Sequence, residues 1–60
     1  MLNLEQAQQL KQQIVEEAPQ LEVKIAPDIE PGVYHLELTI QYPIVIRSLD
    51  SWNERKKLLE

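Results

Sequence analysis

One stretch near the middle of the chain, residues 33–46, alternates between apolar and polar side chains and is interrupted by a proline. Over residues 33–42 the apolar side chains fall on every second position, and the positions between them are mostly polar. A period of two residues is typical of a half-buried β-strand. The sequence therefore predicts a strand whose apolar side faces a core. That side consists of Tyr34, Leu36, Leu38, Ile40 and Tyr42.

Pro43 allows two geometries for this stretch. Proline cannot donate a ladder hydrogen bond, so it belongs at a bulge, an edge or a turn. A bulge would bend one long strand that continues through residues 44–46. A reversal would need a tight turn over residues 41–44, which contain no glycine, asparagine or aspartate. A cis Tyr42–Pro43 bond could make that turn, but only about 5–6% of X–Pro bonds in folded proteins are cis. We therefore favour a bent strand over a three-stranded meander.

The first third of the chain predicts a helix over residues 4–17. Asn3 is a good N-cap, and Gln6 stands three residues later, where the second member of a capping box belongs. Apolar residues then recur at three- and four-residue steps among glutamine, glutamate and lysine, which favour helices. Pro19 disfavours the helical conformation at Ala18, so we expect the helix to end at Glu17 or Ala18.

A second strand is predicted between this helix and the central stretch. Leu21, Val23 and Ile25 alternate with charged residues, and a connection rich in proline follows over residues 27–32. Consecutive strands joined by a short connection usually pair antiparallel. We therefore expect a hairpin whose polar face carries His35 and Glu37.

The last segment predicts a C-terminal helix. Ser48 or Asp50 can cap it, and Ser51 with Glu54 matches a capping box. Trp52 then belongs to its apolar side. The expected class is α+β in the order α-β-β-(β)-α, a small antiparallel sheet of two or three strands between an N-terminal and a C-terminal helix.

The length of the chain, 60 residues, predicts one domain over residues 1–60 that needs support from outside its own core. A domain of this size buries only about 60% of the surface that its unfolded chain exposes. The sequence contains no cysteine and one histidine, which removes disulfides and paired-histidine metal sites. Dimerisation remains as a way to stabilise so small a domain. The expected interface residues are the large apolar ones near Pro43 and in the last helix: Tyr34, Tyr42, Ile44, Ile46 and Trp52.

The net charge of −4 is unevenly distributed. Residues 1–37 carry seven acidic and two basic side chains (−5), and residues 38–60 carry three acidic and four basic ones (+1). An acidic chain is repelled by phosphate unless a basic patch overrides the repulsion. Nucleic-acid binding is therefore a secondary hypothesis, with the basic residues Arg47, Arg55, Lys56 and Lys57 as its contacts.

Little in the sequence indicates catalysis. Gly32 is the sole glycine, so no glycine-rich phosphate loop can form. Histidine beside a carboxylate is the minimum for acid–base chemistry, and His35 with Glu37 provides a third hypothesis, a small enzyme or ligand binder. We expect no cofactor, no metal and no enzymatic activity.

The leading hypothesis is a non-enzymatic interaction or regulatory module that acts as a homodimer and binds a protein partner. The longest aliphatic run, residues 44–46, is too short to span a bilayer, and no signal peptide is recognisable. We therefore expect a soluble, acidic, cytoplasmic protein.

Overall fold

A computed structural model describes residues 1–59 of the chain, and the side chains of residues 1–58. It confirms the α+β class and supplies the third strand. The elements are α1 (Leu4–Glu17), β1 (Glu22–Pro27), β2 (Tyr34–Thr39), β3 (Pro43–Ile46) and α2 (Leu49–Leu59). The strands form one antiparallel sheet in the order β1-β2-β3, so β2 lies at its centre.

Helix α1 begins and ends where the sequence predicts. The side-chain oxygen of Asn3 accepts from the N–H of Gln6 over 2.8 Å, and the Gln6 side chain accepts from the N–H of Asn3 over 2.9 Å. This reciprocal pair satisfies two of the N–H groups that a helix start leaves unbonded. Ala7, Leu10 and Ile14 lie on one face of the helix and are buried.

The predicted bend at Pro43 is wrong, because the chain reverses there. Strand β2 ends at Thr39, which lies opposite Pro43 at the start of β3. The three residues between them form the loop, and the described chain contains no cis peptide bond. Its only positive φ angle belongs to Gly32, so this loop needs neither glycine nor a cis proline. Ile40 and Tyr42 therefore leave the apolar face of β2 and become exposed loop residues.

The hydrogen bonds of β2 alternate between its two neighbours. The N–H of Tyr34 donates to the carbonyl of Leu2 over 2.8 Å, on the side of β2 away from β1. Backbone groups two residues apart in a strand point to the same side. The backbone groups of Leu36 and Leu38 therefore point at β3, and the residues between them point at β1.

Both strand prolines stand where no N–H is required. Pro27 lies opposite Tyr34 and Pro43 lies opposite Thr39, and by this alternation neither pair is hydrogen-bonded. Proline is tolerated at such positions because its missing donor leaves no bond unmade. The same alternation turns the N–H and C=O of Val45 away from β2, toward the free edge of β3.

One face of the sheet and both helices enclose a single core. Helix α1 packs on β1 and β2, and α2 packs against β3. Trp52 of α2 is among the largest fully buried side chains. The N-terminal segment also joins the core, since Leu2 bridges to Tyr34 beyond the end of β3. The buried apolar residues are Leu2, Ala7, Leu10, Ile14, Ala18, Val23, Leu36, Leu38, Ile44, Ile46 and Trp52.

Helix α2 is capped by Ser48, the first of the predicted caps. The Ser48 hydroxyl accepts from the N–H of Ser51 over 3.1 Å, and the Ser48 carbonyl accepts from the N–H of Trp52 over 3.2 Å. Asp50 and Ser51 therefore lie inside the first turn, and the alternative capping box that begins at Ser51 does not form. Within residues 1–59, no helix is long and apolar enough to cross a membrane.

Candidate functional site

The polar face of the sheet carries the histidine predicted from the sequence. Lys24 lies opposite Glu37, and Ala26 lies opposite His35, so the charged residues of β1 share a face with those of β2 as predicted. The imidazole of His35 is 12% exposed. Its Nε2 lies 3.0 Å from the Glu37 carboxylate, so these two side chains are in contact.

A second carboxylate, that of Asp28, completes this cluster. Asp28 Oδ2 lies 3.8 Å from His35 Nδ1 and accepts from Arg47 Nε over 3.2 Å. Its Oδ1 accepts from the N–H of Ile29 over 2.8 Å. The bond from Ile29 and then the Arg47 guanidinium lower the pKa of Asp28 below its ordinary value. Asp28 is therefore ionised, and its bond to Arg47 links the β1–β2 connection to the end of β3.

The chemistry open to this cluster is limited. His35 Nδ1 is buried without a hydrogen-bond partner, and its distance to Asp28 is too long for a hydrogen bond. No group of three histidine, cysteine, aspartate or glutamate side chains within residues 1–59 is placed to hold a metal ion. The other polar groups, of Asp28, Glu37 and Arg47, already bind within the cluster. The arrangement is a network of polar contacts on a sheet face with one ion pair, between Asp28 and Arg47, and a ligand at His35 stays a prediction.

A further polar cluster joins the two helices. Trp52 Nε1 donates to Glu17 over 2.6 Å, and Lys56 Nζ donates to the same carboxylate over 3.2 Å. Both bonds lower the pKa of Glu17, with the indole bond the larger cause. Because the C-terminal end of α1 has no basic residue of its own, Lys56 also supplies the cation that a helix C-terminus favours.

The four basic residues proposed for nucleic acid differ in their surroundings. Arg47 binds Asp28 beyond the end of β3, while Lys56 binds Glu17 at the end of α1. Arg55 lines a groove between α2 and β3. Lys57 is exposed on α2.

The five predicted interface residues divide between core and surface. Ile44, Ile46 and Trp52 are buried in the core of the chain itself. Tyr34 is half-buried against that core, and Tyr42 is 59% exposed in the β2–β3 loop. A role for these side chains between two chains stays a prediction, and Tyr42 is the most accessible of them.

The exposed apolar side chains near β3 form what we call the β3 surface. It consists of Ile40, Tyr42, Val45 and Leu58, of which Val45 is 42% and Leu58 78% exposed. A groove of about 280 Å³ connects the last two, between the edge of β3 and α2. The groove also contains Ser51, Glu54 and Arg55, so its lining is mostly polar and carries both signs of charge beside the exposed Val45 and Leu58.

Sequence reasoning missed Asp28, Glu17 and Val45. Asp28 meets Arg47 across 19 residues and Glu17 meets Trp52 across 35, and no local pattern predicts pairs so far apart. One signal for a cation near Glu17 was available in the sequence. Helix α1 ends in two acidic residues, at a position where the helix dipole favours a cation. The position of Val45 on a free sheet edge was not predicted, because residues 44–46 were interpreted as the continuation of a bent strand.

Comparison with known proteins assigns no family, since no protein-family model, no curated protein and no solved structure matches this chain.

Proposed function

We propose that this chain is a small non-enzymatic protein-interaction module that acts as a homodimer. The observation that carries the proposal is the β3 surface, which places Tyr42, Val45 and Leu58 in solvent beside a strand edge. Exposed apolar side chains that cluster beside a groove are typical of protein-interaction sites. Aromatic residues such as Tyr42 are also enriched where proteins bind each other.

The size of the chain supports a protein partner over a small ligand. The folded chain exposes 4407 Å². A standard interface covers about 800 Å² on each partner, roughly a fifth of that surface. Burial of the β3 surface would remove the exposed parts of its four apolar side chains from water.

The polar clusters support a non-enzymatic role. In the His35 cluster the carboxylates of Asp28 and Glu37 contact the imidazole, and the guanidinium of Arg47 neutralises Asp28. Apart from His35 Nδ1, which has no hydrogen-bond partner, these groups bind one another, whereas a general base must be aimed at a substrate proton. The Glu17–Trp52–Lys56 cluster likewise joins two helices.

Nucleic-acid binding has less support than protein binding. Arg47 and Lys56 each bind a carboxylate of the chain itself, which leaves Arg55 and Lys57 to contact phosphate. Two contacts confer little affinity against a net charge of −4. We expect no mobility shift of RNA or DNA at low salt. A salt-dependent shift that Arg55→Glu weakens would favour the nucleic-acid hypothesis.

The experiment for the proposal is size-exclusion chromatography with light scattering across a dilution series. We expect a species of twice the 7.0 kDa of one chain at low micromolar concentration. Far-ultraviolet circular dichroism of the same samples checks that the chain is folded. A folded species of 7.0 kDa at all concentrations up to the high micromolar range would refute the homodimer.

A further inference from the structure

The edge of β3 has unpaired backbone groups that point outward. In the described sheet β3 has one neighbour, β2, and its other side faces no strand. The backbone groups of Leu36 and Leu38 hydrogen-bond to those of Ile46 and Ile44. The backbone groups of Val45, which lies between Ile44 and Ile46, therefore point away from β2. The N–H and C=O of Val45 therefore form a donor and acceptor pair at the free edge.

The two edges of the sheet differ in how they are protected. Charged side chains, lysine above all, normally deter other strands from adding to an exposed edge. The edge strand β1 carries Glu22 and Lys24 on its open face. Strand β3 consists of proline, isoleucine, valine and isoleucine and carries no charge. The β3 edge is therefore the more open of the two to another strand.

A second copy of β3 matches this edge in hydrogen bonding. When two β3 strands lie antiparallel around a twofold axis at Val45, the two Val45 residues exchange both of their backbone bonds. In the same register Pro43 lies opposite Arg47 of the other copy. The Pro43 carbonyl can accept the Arg47 N–H there, so the missing proline donor costs one bond at each end and none at the centre.

The groove beside the edge is complementary in charge to a copy of itself. Glu54 and Arg55 flank Val45 and Leu58 in the groove. A twofold axis at Val45 brings the same groove of the second copy alongside. Such an arrangement would let Glu54 of one copy face Arg55 of the other, and Leu58 of one copy face the apolar side chains of the other. An isologous interface requires such self-complementarity.

We propose that β3 pairs with β3 of a second copy, antiparallel and centred on Val45, so that two three-stranded sheets join into one sheet of six strands. This inference rests on the proposed homodimer and specifies its surface. It also assigns the partner, since the edge and the groove fit a second copy of this chain in both hydrogen bonding and charge.

Cysteine cross-linking tests the register directly. The sequence has no cysteine, so one introduced thiol per chain gives an unambiguous result. Residues that face each other as a hydrogen-bonded pair have Cα atoms about 5.5 Å apart, within the range of a disulfide. We expect Val45→Cys to form a disulfide-linked dimer under mild oxidation. Val15→Cys is the matched control, because Val15 on α1 is 43% exposed and lies outside the β3 surface. It should not cross-link at the same concentration.

A charge at the edge tests the energetics. Val45→Lys places two ammonium groups opposite each other across the twofold axis, which is unfavourable in a cross-strand pair. We expect it to raise the dimer dissociation constant by about tenfold or more, and Val15→Lys to leave it unchanged. Hydrogen exchange of the wild-type Val45 amide gives a readout without a variant. Its exchange should slow as the concentration rises through the dissociation constant.

The outcomes separate this inference from the proposed function. A dimer that is unaffected by Val45→Lys, with no cross-link at Val45→Cys and no protection of the Val45 amide, would overturn edge pairing and leave the homodimer intact. A folded wild-type monomer at all concentrations would overturn both.

Discussion

The burial of Ile46 leads to a quantitative prediction about the stability of the fold. Ile46 is fully buried and pairs with Leu36, which is also fully buried, on the central strand. Removal of one methylene from such a site, as in Ile46→Val, costs about 0.5–1.5 kcal/mol, and Ile46→Ala costs about 2–5 kcal/mol. A chain of 60 residues has a free energy of unfolding of about 3–9 kcal/mol at 0.05–0.15 kcal/mol per residue. Ile46→Ala is therefore expected to remove a large part of the stability, and Ile46→Val a measurable part.

The assay is urea denaturation followed by fluorescence. Trp52 is the only tryptophan and is buried, so its emission reports on loss of the core. The smallest domains have denaturant slopes near 1 kcal/mol per molar urea, so Ile46→Val should lower the midpoint by about 1 M. All samples are measured at one protein concentration, because dissociation of a dimer makes apparent stability depend on concentration.

Val15→Ala is the matched control for this experiment. It deletes two methyl groups from an exposed side chain on α1, where alanine has the higher helix propensity by a few tenths of a kcal/mol. We expect an unchanged or slightly raised midpoint. If Ile46→Val shifts the midpoint no more than Val15→Ala does, the core around β3 is not packed as described.

Two further predictions concern an acid-sensitive contact and a turn. The pKa of Glu17 is lowered by the bonds from Trp52 and Lys56, so its contribution to stability is present above its ordinary value of 4.5 and is lost as the pH falls below it. Glu17→Gln should flatten the acid limb of the urea midpoint plotted against pH, and an unchanged limb would contradict the contact. Gly32 has a φ of +78°, and an added Cβ would meet no atom within 4 Å, so Gly32→Ala costs only backbone strain, about 1 kcal/mol. Thermal melts should show Tm lower by about 4–8 °C, and no change would refute the left-handed turn.

The elements that carry strong local signals could be predicted from the sequence. Helix α1 follows from its capping box, its three- and four-residue periodicity and the proline after it, and all three are local. Strands β1 and β2 follow from their alternation. These features depend on residues close together in the chain, which is where sequence patterns are informative.

The reversal at Pro43 could not be predicted in the same way. Ile40 and Tyr42 continue the alternation of β2, so the pattern extends the strand through residues that in fact form a loop. A three-residue loop without positive φ angles has no glycine or asparagine signal. The contacts of Asp28 and Glu17 were equally inaccessible, because they depend on how the elements pack.

The two strand prolines also limit which wrong structures the chain can form. A slip of β3 by one residue would turn it over, so that Ile44 and Ile46 would face water. The same slip would aim the nitrogen of Pro43 at β2, where a donor is required and none exists. Pro27 imposes the same condition on β1, since its nitrogen is tolerated only opposite a β2 residue whose backbone groups point away from β1, as Tyr34 does in the native pairing. Misregistered hairpins therefore lose a hydrogen bond as well as apolar burial, and they are discriminated against while the sheet assembles.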